Sequence, residues 1–111
     1  MERQATAARP LPAILTDRLD EIVAICQEYG VRHLYVFGSA VHGTFDPATS
    51  DLDFMVDLGE YEPEIALRYS RLYRALETLF DRDIDLITTN STGSARFLDH
   101  VIATREHIYA A

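Results

Sequence analysis

Apolar residues recur along the chain at two spacings, one typical of helices and one typical of strands. Helical spacing predicts helices at residues 16–29, 63–80 and 94–110, the last ending in a short strand at 107–109, with one helical turn at 39–42. Strand-like apolar runs lie at residues 33–38, 51–58 and 83–88. Residues 43–50, rich in Gly, Pro, Asp and Ser, predict a loop. This order predicts an α/β (α+β) fold, a small mixed β-sheet with helices packed mainly on one face.

The length and charge of the chain limit its function class. With 111 residues, we expect a disordered N-terminus at residues 1–12 and a single domain at residues 13–111. The formal charge of −8 argues against direct binding to nucleic acid, and it suits divalent cations or a basic partner. No apolar run reaches membrane-spanning length, and the first residues lack the apolar core of a signal peptide, so we expect no membrane association and a cytoplasmic location.

The chain has one cysteine, Cys26, which excludes an internal disulfide and a metal site built from several thiolates. Cys26 lies on the apolar side of the first predicted helix, and no histidine is near it in the sequence. We therefore expect it to pack in the core rather than to act as a nucleophile.

The second predicted strand places two aspartates in apolar sequence. Asp51 and Asp53 share one face of that strand, about 6.5 Å apart at a rise of roughly 3.3 Å per residue. In the third predicted strand, Asp83 and Asp85 also share a face. If the strands are neighbours, their carboxylates converge, and each pair at ~4 Å repels by about 4 kcal/mol near a protein surface. A pair of Mg²⁺ ions would relieve this repulsion, although D-x-D alone also fits a strand cap followed by an exposed aspartate.

The residues before the loop suggest a site for phosphate. Gly38 permits a positive φ and close approach of a ligand, and Ser39 adds a hydroxyl where the amides of residues 39–41 begin a helical turn. A simple strand-to-helix turn with Ser39 as its N-cap fits the same residues. A phosphate site beside metal ligands suits a complex of a metal with a triphosphate.

Together these features resemble the minimal nucleotidyltransferases of the DNA-polymerase-β superfamily. The family pattern is Gly-Ser, a loop, Asp-x-Asp on the next strand and one Asp on a third strand. It reads here as Gly38-Ser39, then Asp51-Leu52-Asp53, then Asp85, within a resemblance that extends over about residues 15–109. The resemblance implies the polymerase-β-like nucleotidyltransferase fold, ATP as substrate, two Mg²⁺ ions, and transfer of AMP to an acceptor hydroxyl with release of pyrophosphate.

The resemblance also implies a role for each site residue. Asp51 and Asp53 would ligate both metal ions, and Asp85 would hold only the catalytic ion and orient or deprotonate the acceptor hydroxyl. Asp83 is the competitor for that last role. The triphosphate would lie against Gly38-Ser39, and His42 stands where many members carry basic residues. His42 either contacts the phosphates or is a neutral, exposed loop histidine. Because the basic residues of other members are missing here, it stays open whether activity is retained.

Minimal members of the family are often encoded beside a HEPN protein, and the two act as an antitoxin and a toxin. The resemblance therefore implies adenylylation of a HEPN-family RNase toxin at a tyrosine or another hydroxyl. One alternative is a non-catalytic antitoxin that neutralises a toxin by binding it. Another is a small-molecule nucleotidyltransferase that acts as an oligomer. The three carboxylates favour catalysis over binding alone, whereas the acceptor, the base preference and self-association stay open.

Overall fold

The computed structural model describes residues 11–89 and 94–111. Its elements in chain order are α1 (Ala13–Thr16), α2 (Leu19–Glu28), β1 (His33–Phe37), α3 (Ser39–His42), β2 (Leu52–Asp57), α4 (Ile65–Phe80), β3 (Ile84–Thr88), α5 (Ala95–Thr104) and β4 (Glu106–Ala110). The disorder expected for residues 1–12 falls mainly on residues outside this described part, and Leu11 packs against the core. Within the described ranges, no helix combines the length and the apolar character needed to cross a membrane.

The four strands form one mixed sheet in the order β3-β2-β1-β4. Strand β1 pairs antiparallel with both β2 and β4, and β2 pairs parallel with β3. The register sets Asp53 opposite Phe37 on one side and opposite Asp85 on the other. The second and third predicted strands are therefore neighbours, which is the condition for their carboxylates to converge, and Asp53 and Asp85 lie side by side.

The main core lies between one face of the sheet and helices α2 and α4. Alternate residues of β2 reach this face, and Leu52, Phe54 and Val56 are fully buried there. On the helix side, Cys26 and Leu72 are among the residues of the same cluster. The alternation places Leu52, Phe54 and Val56 on the face opposite Asp53, as the period of two along a strand requires.

Helix α5 packs on the opposite face of the sheet. Its residue Val101 is 1% exposed and forms a second, smaller cluster with Phe37 and Met55. Phe37 and Met55 have the same strand parity as Asp53, so α5 covers part of the face that carries the aspartates. The predicted fold class, with helices mainly on one face, is confirmed, and α5 is the exception.

Two predicted elements differ from the structure. The helix expected at 16–29 begins only at Leu19, as α2, and a separate short helix, α1, precedes it at Ala13–Thr16. The two are separated at Arg18, which has φ −121° and ψ 17° and whose N–H donates to Leu15 O, three residues back. The helix expected from 94 to 110 ends at Thr104, where Arg105 takes an extended backbone and β4 begins. The final strand is longer than expected because it pairs with β1, a distant partner that helical periodicity cannot indicate.

The Arg68 guanidinium connects the start of α4 with the segments that follow α2 and β2 through several hydrogen bonds. Its Nε donates to Glu62 Oε2 at 2.8 Å, and its Nη2 donates to Leu58 O at 3.0 Å. Its Nη1 donates to the carbonyls of Tyr29 and Gly30 at 3.0 and 3.2 Å. One guanidinium thus joins the end of α2, the end of β2 and α4.

We expect Arg68→Lys to lower the free energy of unfolding by about 2 kcal/mol. The lysine ammonium cannot make all the hydrogen bonds of the guanidinium, so some of the backbone carbonyls that Arg68 binds would lose their donor. Urea denaturation measures the change. Arg71→Lys, at an exposed position of the same helix, is the matched control and should stay within about 0.5 kcal/mol of the unmodified chain. Equal stabilities for both variants would contradict the structural role of Arg68.

Cys26 is fully buried, which confirms that it packs in the core. Burial raises the pKa of its thiol from 9.0 to about 12, so the thiolate fraction falls roughly a thousandfold. We expect iodoacetamide to alkylate Cys26 slowly in the native protein at pH 8 and rapidly in urea, with mass spectrometry as the measurement. Equal rates in the two conditions would show that the thiol is accessible in the fold.

Candidate active site

A cavity of about 400 Å³ opens on the aspartate face of the sheet, between the strand ends, α3 and α5. Five of the six site residues predicted from the sequence line it, namely Gly38, Ser39, His42, Asp53 and Asp85. The sixth, Asp51, is exposed just before β2 and is not part of the lining. Asp83, the competitor of Asp85, is also exposed and lies outside the cavity.

Asp53 and Asp85 form a contacting pair of carboxyl groups. Burial raises the pKa of Asp53 from 3.8 to about 6, together with the charges of Asp85 and Asp51 and a hydrogen bond that protonated Asp53 donates to Asp85. Each of these influences raises the pKa, and none comes from a cation. Within the described part of the chain, therefore, no cation offsets the repulsion between these two carboxyl groups.

Gly38 is the position where the backbone comes closest to this pair. It has φ 76° and ψ −145°, a conformation that side-chain-bearing residues rarely adopt. A Cβ atom there would lie 2.1 Å from Asp53 Oδ2, so only glycine leaves room for the carboxylate. Gly38 also occupies the cap position of α3, and no side chain caps that helix. The alternative in which the Ser39 side chain serves as an N-cap is therefore wrong, and Ser39 instead borders the cavity.

The loop between α3 and β2 is held in place by Arg82. Its Nη1 donates to Ser50 O at 2.9 Å and its Nη2 donates to Pro47 O at 2.7 Å. Its guanidinium also lies 5.4 Å from the centre of the Phe45 ring. This arginine binds backbone carbonyls, and it fixes the loop directly before Asp51.

The carboxylate pair fits a bound Mg²⁺ ion. Among the residues that the structure describes, no group of three His, Cys, Asp or Glu side chains could hold a metal ion by itself. Mg²⁺, however, is usually held by one or two carboxylates together with waters and substrate phosphates. Burial, and after it the charges of Asp85 and Asp51, raise the pKa of Asp53, and a divalent cation bound beside the pair would offset these costs. Ligation by Asp51 stays a prediction.

The sequence did not indicate the part of the cavity formed by α5. Phe97 and His100 line it, and the His100 ring lies over the His42 ring with centroids 5.5 Å apart and planes 27° apart. Thr44, from the loop, is also part of the lining. No local pattern distinguishes Phe97 or His100, because both belong to an ordinary amphipathic helix until α5 crosses the aspartate face.

The charge on Asp53 should weaken the fold above pH 6. The pKa of Asp53 is about 6 in the native state, above its ordinary value of 3.8. Between these two pH values the native state therefore binds more protons than the unfolded state, and the free energy of unfolding falls as the pH rises. We expect Asp53→Asn to raise the free energy of unfolding at pH 7 by about 1 kcal/mol, after a discount for solvent screening, in metal-free buffer.

This gain should disappear at pH 4, where Asp53 is protonated in the native state. Urea denaturation at the two pH values measures it. Asp83→Asn, an exposed aspartate near the same site, is the control and should show no such pH-dependent gain. An Asp53→Asn variant that is no more stable at pH 7 would contradict a destabilising charge on Asp53.

Comparison with known proteins gives one family and a consistent fold. A family model described as "Polymerase beta, Nucleotidyltransferase" matches residues 20–111. A relative from Methanocaldococcus jannaschii, named "Putative protein adenylyltransferase MJ1215", is 37% identical over 65 residues, which cover 59% of this chain and 72% of the relative. A solved structure described as a "putative minimal nucleotidyltransferase" has a TM-score of 0.69 and 25% identity, and the match covers 89% of this chain and 97% of that one.

Two solved toxin–antitoxin complexes contain a chain with the same fold. One is described as a crystal structure with AMP-PNP, with a TM-score of 0.63 and 23% identity over 84% of this chain and 73% of that one. The other contains a tri-AMPylated Shewanella oneidensis HEPN toxin with an MNT antitoxin, with a TM-score of 0.61 and 18% identity over 86% of this chain and 72% of that one. At these identities the likeness shows the fold alone.

Proposed function

Because this chain belongs to the polymerase-beta nucleotidyltransferase family, we propose that its cavity binds ATP and that it transfers AMP to a hydroxyl group of a partner protein. The observation that carries this proposal is the Asp53–Asp85 pair, which faces a cavity beginning at Gly38-Ser39. An acidic pair beside a close-approach glycine suits a metal-bound phosphate chain better than a neutral ligand. The adenylyltransferase name of the archaeal relative supports the same reaction.

Asp53 and Asp85 would hold Mg²⁺, with Asp51 as a further ligand from the start of β2. The bound ions would offset the charge of the phosphates and steady the attacking and leaving oxygens. Gly38 leaves room for the Asp53 carboxylate, and Ser39 and His42 line the same cavity and would contact the triphosphate.

Asp85 would accept the proton of the acceptor hydroxyl. Its carboxyl group is exposed in the cavity, so an acceptor from another molecule could reach it. The acceptor oxygen then bonds to the α-phosphorus of ATP, the bond from that phosphorus to the pyrophosphate oxygen breaks, and the proton passes to Asp85. The products are an adenylylated hydroxyl and pyrophosphate.

We propose a HEPN-family toxin as the partner that carries this hydroxyl. A fold neighbour was solved with an AMPylated HEPN toxin, and another was solved in a toxin–antitoxin complex with AMP-PNP. The net charge of −8 would favour a partner with a basic surface. Catalysis, rather than neutralisation by binding alone, would explain why Asp53 lies in contact with Asp85, whose charge raises the pKa of Asp53.

Mass spectrometry of a HEPN partner incubated with this protein, ATP and Mg²⁺ tests the reaction. We expect a mass increase equal to one or more AMP groups. Asp85→Asn should lower the rate by roughly a hundredfold or more, because it removes a metal ligand and the proton acceptor together. Asp83→Asn is the matched control, since Asp83 has the same strand parity but lies outside the cavity, and it should retain activity.

A second control removes the metal. Addition of EDTA should abolish transfer by the unmodified protein, and excess Mg²⁺ should restore it. Transfer that survives EDTA would refute the metal assignment. Loss of activity in Asp83→Asn, with activity retained in Asp85→Asn, would show that the wrong aspartate has been assigned as base.

A further inference from the structure

The α5 side of the cavity carries two aromatic rings that the proposed metal and phosphate contacts do not use. Phe97 and His100 are three residues apart in the sequence, so they share one face of α5. Both line the cavity. Val101 beside them is 1% exposed and packs with Phe37 and Met55, which anchors this face of the helix to the sheet.

Local contacts hold both rings in place. The Phe97 N–H donates to the Ser94 hydroxyl oxygen at 3.0 Å, which caps α5 and fixes the first turn. The Phe97 ring meets the Phe37 ring edge to face, with centroids 6.2 Å apart and planes 77° apart. His100 lies over His42 with centroids 5.5 Å apart. Phe97 is nevertheless 46% exposed, so a large apolar ring remains uncovered at the cavity.

We propose that Phe97 and His100 bind the nucleobase and that they favour a purine. This inference rests on the proposed function, because it concerns the same cavity. The lining has an acidic part at Asp53 and Asp85 and an aromatic part on α5. A nucleoside triphosphate has the same division, since its phosphates bind metal ions whereas its base is flat and apolar on both faces.

The size and the chemistry of the cavity agree with this ligand. A volume of about 400 Å³ lies within the usual range for small-molecule sites, roughly 300–1,000 Å³. Stacking of a base on an aromatic side chain typically changes affinity by about tenfold or more, and it requires no base-specific hydrogen bond. The larger ring system of a purine offers more stacking area than a pyrimidine.

Calorimetric titration with ATP and with inorganic tripolyphosphate, both in Mg²⁺, separates base binding from phosphate binding. We expect Phe97→Ala to weaken ATP binding about tenfold and to leave tripolyphosphate binding unchanged. Phe97→Tyr should bind ATP as tightly as the unmodified protein, because tyrosine keeps an aromatic ring at this position. Ile102→Ala is the matched control, since Ile102 is 54% exposed on the same helix and does not line the cavity.

His100 has a parallel test. His100→Ala should weaken ATP binding only, and His100→Phe should retain it, because stacking needs a ring and not a charge. The unmodified protein should bind ATP and GTP more tightly than CTP and UTP, and this preference should shrink in Phe97→Ala. Thermal unfolding of each variant confirms that it is folded.

The outcomes distinguish this inference from the proposed function. ATP binding that is unchanged in Phe97→Ala and His100→Ala would overturn the inference and leave the function standing. An equal loss of ATP and tripolyphosphate affinity would also overturn it, since the rings would then act on the phosphates. Failure of the unmodified protein to bind either ligand would overturn the proposed function, and the inference with it.

Discussion

The packing of Asp53 between Gly38 and Asp85 is the constraint on which the site depends. The carboxylate occupies the space that any side chain at position 38 would need, and the parallel register of β2 and β3 sets a second carboxylate beside it. Ionised Asp53 is unfavourable here, because burial and then the charges of Asp85 and Asp51 raise its pKa. It is held there because the opposite face of β2 is fully buried, with Leu52 and Phe54 in the main core.

Two arginines keep β2 in position by binding backbone carbonyls. Arg82 fastens the loop before the strand, through Pro47 and Ser50, and Arg68 fastens Leu58 just beyond its end. A planar guanidinium can satisfy several carbonyls at once, which an ammonium cannot do in the same geometry. These arginines therefore bind backbone carbonyls on either side of β2 and stabilise the frame around the aspartates.

Helix α5 converts an open face of the sheet into a cavity. It packs on Phe37 and Met55, next to the aspartates, and brings Phe97 and His100 opposite the turn that begins at Gly38. The family match extends through this region to residue 111, and the solved structures compared share the fold. A single cavity thus combines an acidic part at Asp53 and Asp85 with an aromatic part on α5.

The sequence by itself determined the elements whose signal is local. Periodicity predicted α4 and the strands β1, β2 and β3 to within two residues. The family resemblance named Gly38, Ser39, His42, Asp51, Asp53 and Asp85, and all of these except Asp51 line one cavity. Only the tertiary structure decided the pairing of β4 with β1 and the crossing of α5 over the aspartate face. These features depend on contacts between residues far apart in the chain, and a local pattern of apolar positions carries no information about which distant surface will cover it.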